Sequence, residues 1–267
     1  MDEEQPGILH DTAGGVLTVT LDRPQAGNAL RAIDRETVIG LLDSAHSDSR
    51  VRCVVIRANG RHFCTGADVS GLGRQNEGEA AVGDISRRIM GGAQQLIAAI
   101  LDCDKPVICV VQGAAAGMGA HVAYASDFVI ASREASFIEA FVLRGLTVDA
   151  GGAYLLPRLI GMQKAKELAL LGDKLSADDA FALGLVNRVV DAADLGAEVD
   201  GLANRLANGP TTAIALTKRL FNSSLDADRR ASFQLEGLVQ EIQSHSLDST
   251  EGVRSFIERR PAEFQGR

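Results

Sequence analysis

No tryptophan and only two tyrosines occur in these 267 residues, and aromatic side chains make up 4% of the total. Composition therefore does not point to stacking on an aromatic substrate. A basic surface is missing as well. The net charge of −8 argues against nucleic acid or an anionic membrane as the main partner, although a local basic cluster could hold an anionic ligand. No apolar run approaches membrane-spanning length, and the opening Met1-Asp2-Glu3-Glu4-Gln5-Pro6 lacks the apolar centre of a signal peptide. These absences give the expectation of a cytoplasmic protein. Cysteine is sparse: Cys53, Cys64, Cys103 and Cys109 show no CxxC spacing and two lie in apolar stretches. Free thiols are expected rather than disulfides or a metal site.

What the chain does have is apolar bulk. Hydrophobic residues make up 46% of it, ample for the core of one large domain or two small ones. Pro106 opens the run Val107-Ile108-Cys109-Val110-Val111, which reads as a strand buried on both faces, and Gly113 ends it. Ala114-Ala115-Ala116-Gly117-Met118-Gly119-Ala120 follows, and Met118, Val122 and Ala125 then recur as the first turns of a buried helix. A strand passing through small residues into a helix N-terminus aims unpaired N–H groups at one point, with the helix dipole behind them. Such a place stabilises an anion. Close packing of a helix on a sheet needs the same small residues, so this stretch alone leaves both readings open. A nucleotide is disfavoured, because no phosphate-loop lysine follows and the spacing is not the dinucleotide fingerprint. A second unit of the same kind runs from Val51-Arg52-Cys53-Val54-Val55-Ile56-Arg57-Ala58 into Asn59-Gly60-Arg61-His62-Phe63-Cys64-Thr65-Gly66-Ala67-Asp68. Two such units could supply one N–H each to a shared oxygen.

Around these units the chain alternates strand and helix. A hairpin is expected from Ile8 to Leu21 with its turn at Ala13-Gly14-Gly15, then a helix capped by Asp34 and running to about Ala45. Residues 70–83 are rich in Gly, Gln and Glu and read as a mobile loop beside the site. A helix over about 84–101 precedes the central strand, and short strands follow at 127–131 and 135–137. Asp149 stands where the N-cap of a helix starting at Ala150-Gly151-Gly152 belongs. From about residue 192 the pattern is helical throughout. The class is α/β.

Phe63-Cys64-Thr65-Gly66-Ala67-Asp68 together with Gly113-Ala114-Ala115-Ala116-Gly117-Met118-Gly119 resembles the signature of the crotonase superfamily, the enoyl-CoA hydratase/isomerase family. Arg23-Pro24, Asn28-Ala29-Leu30, Asp127, Leu155-Leu156-Pro157-Arg158, Gly184-Leu185-Val186 and Glu251-Gly252-Val253-Arg254-Ser255-Phe256 fit it in the family's order. The resemblance covers almost the whole chain. It implies a spiral of ββα turns over 1–191 that binds and transforms acyl-CoA, and a helical extension over 192–267 that packs subunits into a homotrimer or a dimer of trimers. It implies no separate cofactor, since coenzyme A belongs to the substrate. It also implies oxyanion donors at the N–H groups of Thr65 and Met118, and coenzyme A contacts at Arg23, Ala67, Asp68 and Val69.

The acid/base group is where the chain departs from the family's hydratases. The two hydratase glutamates align with His121 and Phe141, and Phe141 can neither orient water nor move its protons. Asp149 matches the position from which some family isomerases, including the ring-opening type of phenylacetate breakdown, project one acidic residue over the acyl chain. One carboxylate can remove a proton at one carbon and return it at another, which shifts a double bond without water. His121 beside the anion site and Glu139, two residues before Phe141 and on its face if the strand alternates, are the further candidates. The isomerase using Asp149 is the favoured expectation. A hydratase or hydrolase using His121 with Asp149 or Glu139 is the alternative, and a non-catalytic acyl-CoA-binding member is the third reading.

Overall fold

The computed structural model describes residues 7–68 and 81–267. β1 (Ile8–Ala13) and β2 (Val16–Leu21) pair antiparallel with Ala13 opposite Val16. Gly14 and Gly15 form the two-residue turn, both at positive φ (57° and 82°), which glycine adopts without steric cost. α1 (Ala32–Ser47) follows. Asp34 is not its cap but sits in its first turn, where the carboxylate accepts the N–H groups of Gly7 (2.7 Å) and Arg31 (2.9 Å).

β3 (Cys53–Ala58), β4 (Val107–Val111), β6 (Phe128–Ser132) and β9 (Arg188–Val190) continue the sheet in parallel, in the order β1-β2-β3-β4-β6-β9. Alternation puts Val54, Ile56, Val107 and Cys109 in the cluster under one face, and Cys53, Val55, Ile108 and Val110 in that under the other. Both faces are covered, which is why these strands read as unbroken apolar runs. The second face carries Val199, Leu202, Ala203 and Ala207 of α7 (Leu195–Ala207). α7 is thus a layer of the core, although it lies beyond residue 191.

The helix expected over 84–101 is interrupted. α2 (Asp84–Arg88) and α3 (Gln94–Asp102) are joined by a π-turn over Ile89–Ala93. Leu96, Ile97 and Ile100 are buried as the spacing implies, whereas Ile85 is exposed. The loop expected at 70–83 lies outside the described residues over 70–80. A second sheet of three short strands, β5 (Ala114–Ala116), β7 (Ser136–Ile138) and β8 (Lys174–Ser176), stands beside α4 (Met118–Ala125), every residue of which is buried.

α5 (Gly152–Leu171) and α6 (Ala177–Ala182) complete this part. α8 (Thr211–Ser224), α9 (Arg229–Ser244) and α10 (Leu247–Glu258) follow α7. α8 is fastened to the core by Lys218, whose Nζ donates to Asp127 Oδ2 (2.7 Å) and to the carbonyls of Ile100 and Lys105 (3.1 and 3.3 Å). α9 buries no residue of its own and leaves Phe233, Leu238 and Ile242 exposed. Among the described residues no helix is long and apolar enough to cross a membrane.

Candidate active site

The two glycine loops lie against each other. The N–H of Cys64 donates to Ala114 O (3.1 Å), and that of Ala116 donates to Cys64 O (2.9 Å). A Cβ on Gly119 would lie 2.3 Å from Cys64 O, and one on Gly113 would lie 2.1 Å from Arg61 O. Those glycines answer to the close approach of two main chains. The close-packing reading of the small-residue stretch therefore holds at these two positions.

The N–H of Thr65 is already spent. It donates to Gly27 O at 3.0 Å, so the expected donor at Thr65 is corrected. Just beyond it, Gly66 O accepts the N–H of Leu30 (2.9 Å) and the N–H of Asp68 donates to Leu30 O (3.0 Å). The N–H of Ala67 is trans to the Gly66 carbonyl across one planar peptide, so it points away from Leu30. No group among the described residues takes it. Met118 presents the same geometry: the carbonyl of Gly117 accepts the N–H of His121 (3.1 Å) along the helix. The N–H of Met118 therefore points out of the N-terminus of α4. A Cβ on Gly66, at φ 108°, would lie 3.9 Å from Met118 N. Ala67 and Met118 line one cavity of about 440 Å³, with Asp68, Phe141, Arg144 and Asp149 among its other walls.

Asp149 is not the cap of α5. Gly151 holds that place, and the Asp149 carbonyl, not its carboxylate, accepts the N–H of Gly152 (2.9 Å). Ala150 (φ 44°) and Gly151 (φ 75°) are both left-handed. For alanine that conformation costs ~1–2 kcal/mol. The strained turn leaves the Asp149 carboxylate with no hydrogen-bond partner among the described residues and on the cavity wall. Burial pushes this carboxyl above its ordinary value, against the pull of the His121 and Arg35 charges.

His121 and Glu139 come together, but behind that wall. His121 Nε2 lies 3.0 Å from Glu139 Oε2, and the two side chains are 0% and 2% exposed. Neither lines the cavity, so direct contact with substrate is corrected for both. The strand ends at Ile138, and the expected alternation that would put Glu139 and Phe141 on one face ends with it. The Phe141 ring instead stacks on His121 at 5.5 Å between centroids. His121 Nδ1 and Glu139 Oε1 are buried without a partner.

Arg23 braces the first loop. Its Nη1 donates to Ala29 O (2.7 Å) and Asp68 Oδ2 (2.9 Å) and lies 3.6 Å from Asp34 Oδ2. Val69 lies outside the described residues. Sequence reasoning quoted Asn28 but missed its work: at φ 55° and fully buried, it donates to Asn59 O (2.9 Å) and His62 O (2.8 Å) and accepts the N–H of Arg23 (2.8 Å). The Gly27-Asn28 pair was the available signal for a left-handed turn. Among the described residues no group of three or more His, Cys, Asp or Glu could hold a metal ion. A larger cleft of about 860 Å³ opens between α4, α5 and α8. Its Lys218, Arg219 and Arg158 are paired with Asp127, Asp104 and Asp226, which leaves the smaller cavity, with its unpartnered N–H groups and carboxylate, as the place for chemistry.

The family model described as enoyl-CoA hydratase/isomerase matches residues 11–267. The chain is 36% identical to the Rhodobacter capsulatus protein named "Probable enoyl-CoA hydratase", over 97% of this chain and 98% of that one. It is equally 36% identical, with the same coverage, to the 1,2-epoxyphenylacetyl-CoA isomerase of Escherichia coli K12. A crystal structure of enoyl-CoA hydratase from Mycobacterium smegmatis superposes with a TM-score of 0.89 at 31% identity, covering 97% of this chain and 99% of that one.

Proposed function

Since the chain belongs to the enoyl-CoA hydratase/isomerase family, we propose that it is an enoyl-CoA isomerase in which Asp149 moves a proton between two carbons of the acyl chain. The observation that carries this reading is the position of the Asp149 carboxylate, unpartnered on the wall of the cavity where the N–H groups of Ala67 and Met118 end. The thioester carbonyl oxygen accepts both N–H groups. Ionised Asp149 removes a proton from the carbon next to the carbonyl, and the electron pair of the broken C–H bond becomes an enolate whose charge rests on that oxygen. Protonated Asp149 then returns the proton two carbons further along, and the double bond ends in conjugation with the thioester. One lost backbone donor of this kind costs ~10²–10³ in rate.

Hydration would need a second group to orient water. His121 and Glu139, the candidates for that role, are enclosed behind Phe141 and Gly152, and Asp68 is held by Arg23. Arg23, Ala67 and Asp68 are assigned to the cavity mouth, where the coenzyme A moiety lies. The exposed apolar residues of α9 are assigned to packing between subunits of a homotrimer.

The test is incubation with 3-enoyl and 2-enoyl thioesters of coenzyme A in heavy water, followed by mass spectrometry. Deuterium uptake and double-bond migration are expected, both lost in Asp149→Asn with thioester affinity retained. A water adduct formed equally well by the variant would refute the mechanism, and tight binding with no turnover in the unmodified protein would point to a non-catalytic member.

A further inference from the structure

The Phe141 ring is held in place from behind. Its backbone carbonyl accepts the N–H groups of Arg144 (2.9 Å) and Leu146 (3.0 Å), so the turn over Val142–Arg144 fixes the residue. The ring stacks on the His121 imidazole, with 5.5 Å between centroids and 18° between planes. His121 cannot give way in turn. Its Nε2 lies 3.0 Å from Glu139 Oε2, and α5 closes on its edge, where a Cβ on Gly152 would lie 2.3 Å from Cε1. His121 and Glu139 are both buried, and an interior packed in this way leaves the ring no room to swing back.

In front, the same ring reaches the peptide that ends in the Met118 N–H. A Cβ on Gly117, at φ 51°, would lie 3.5 Å from Phe141 Cζ and 3.6 Å from Cε2. The N–H of Gly117 donates to Ile138 O at 2.9 Å, which ties that peptide to the end of β7, from which the chain runs on to Phe141. Ring and donor are thus parts of one hydrogen-bonded unit. Both line the acyl cavity, and the walls beside them are small: Gly66, Ala67 and Ala140. A bulky ring among alanines and glycines is what narrows the cavity next to Met118. An oxygen that accepts the Met118 N–H at the ordinary length of about 2.9 Å brings its carbonyl carbon, and the carbon bonded to that, into this narrow part.

We propose that Phe141 determines the class of acyl group this site takes: thioesters unbranched at the carbon next to the carbonyl enter, and a methyl group on that carbon meets the ring and is rejected. This rests on the thioester carbonyl lying at Met118, as in the isomerase reading, and needs no proton transfer. The ring rejects by overlap, because neither it nor the His121 behind it can retreat without disturbing a packed interior. One added methyl in such a pocket is worth about 10- to 200-fold in discrimination.

The test is calorimetric titration with butyryl-CoA and isobutyryl-CoA, saturated thioesters of equal carbon count that differ in a methyl branch next to the carbonyl and have no double bond to move. The unmodified protein should bind the branched thioester at least about tenfold more weakly. In Phe141→Ala the ratio of the two affinities should fall to within about threefold, because the ring that sets the discrimination is gone. The ratio compares two ligands on one protein, so a general loss of affinity in the variant does not imitate the effect. Phe141→Leu keeps more of the buried volume and should already lower the ratio, which preserves the test if the alanine variant does not fold. Equal binding by the unmodified protein, or a ratio that survives in both variants, would overturn the proposal, and binding of neither thioester would overturn it together with the thioester site. Failure of the isomerase reading is separable, because Asp149→Asn would then retain turnover while the affinity ratio stays as it is.

Discussion

Gly119→Ala sets two effects of opposite sign against each other. Gly119 is in the first turn of α4 with an ordinary helical backbone, and alanine in place of a helical glycine should gain ~1 kcal/mol. Yet its Cβ would lie 2.3 Å from Cys64 O and 2.8 Å from Cys64 Cβ. Ordinary contact needs about 3.5 Å, so the Cys64 loop or α4 must retreat by about 1 Å. α4 and Cys64 are buried, and overpacking of that kind costs ~1–3 kcal/mol, enough to cancel the helix gain or reverse it. The loop carries Ala67 and the helix carries Met118, so whichever retreats takes one of the two proposed thioester donors with it. A shift of that size at a reacting centre costs about 10²-fold, and loss of one donor costs up to ~10³. Gly40→Ala is the control: it lies in α1 with nothing within 4 Å of its new Cβ and should simply stabilise by about 1 kcal/mol. Equilibrium denaturation and steady-state isomerisation of the two variants decide. If Gly119→Ala is more stable than the unmodified protein and keeps kcat within threefold, the account of the loops as mutually fixed donors is wrong.

The other predictions concern charge and assembly. Burial raises the Asp149 carboxyl above its ordinary value, so the folded state binds its proton more tightly than the unfolded chain. The sign follows: stability falls as pH rises from the unfolded value of 3.8 through the folded one. Asp149→Asn should therefore lose isomerisation yet resist denaturant better at neutral pH, with the gain vanishing in acid. An unchanged denaturation midpoint at pH 7 would contradict the burial argument. Lys218→Met removes one member of a pair in which Lys218 is 7% and Asp127 21% exposed, leaving the Asp127 charge and two carbonyls without their donor. Denaturant titration should show a loss of ~3–5 kcal/mol, and a loss below 1 kcal/mol would show that water replaces the ammonium. Ile242→Glu, on the exposed apolar side of α9, should dissociate the proposed trimer in analytical ultracentrifugation, and an unchanged sedimentation coefficient would place the interface elsewhere.

Much was legible along the chain because the signals were local. The two-glycine turn of the first hairpin, the apolar runs of β3 and β4 and the helical spacing in the C-terminal region needed only the backbone preferences and periodicities of neighbouring residues. The α/β class followed from their alternation. Order and motif were enough for the family, and Asp149 stood out as an acid at the acyl position. Less was legible where one residue's role depends on a partner far away in sequence. Thr65 and Ala67 are two residues apart in one motif, and only the bond from Thr65 to Gly27, 38 positions earlier, disqualifies the first.

By itself, then, the sequence determined the class, the order of elements and the two glycine-rich loops, because each rests on signals within a few residues. The tertiary structure decided which N–H groups are left free, that Asp149 turns its carboxylate to the cavity instead of capping α5, and that His121 and Glu139 face each other behind its wall. The physical reason is common to all three. Whether a polar group is spent or available depends on the partners it meets in space, and those come from elements that only folding brings within 3 Å of one another.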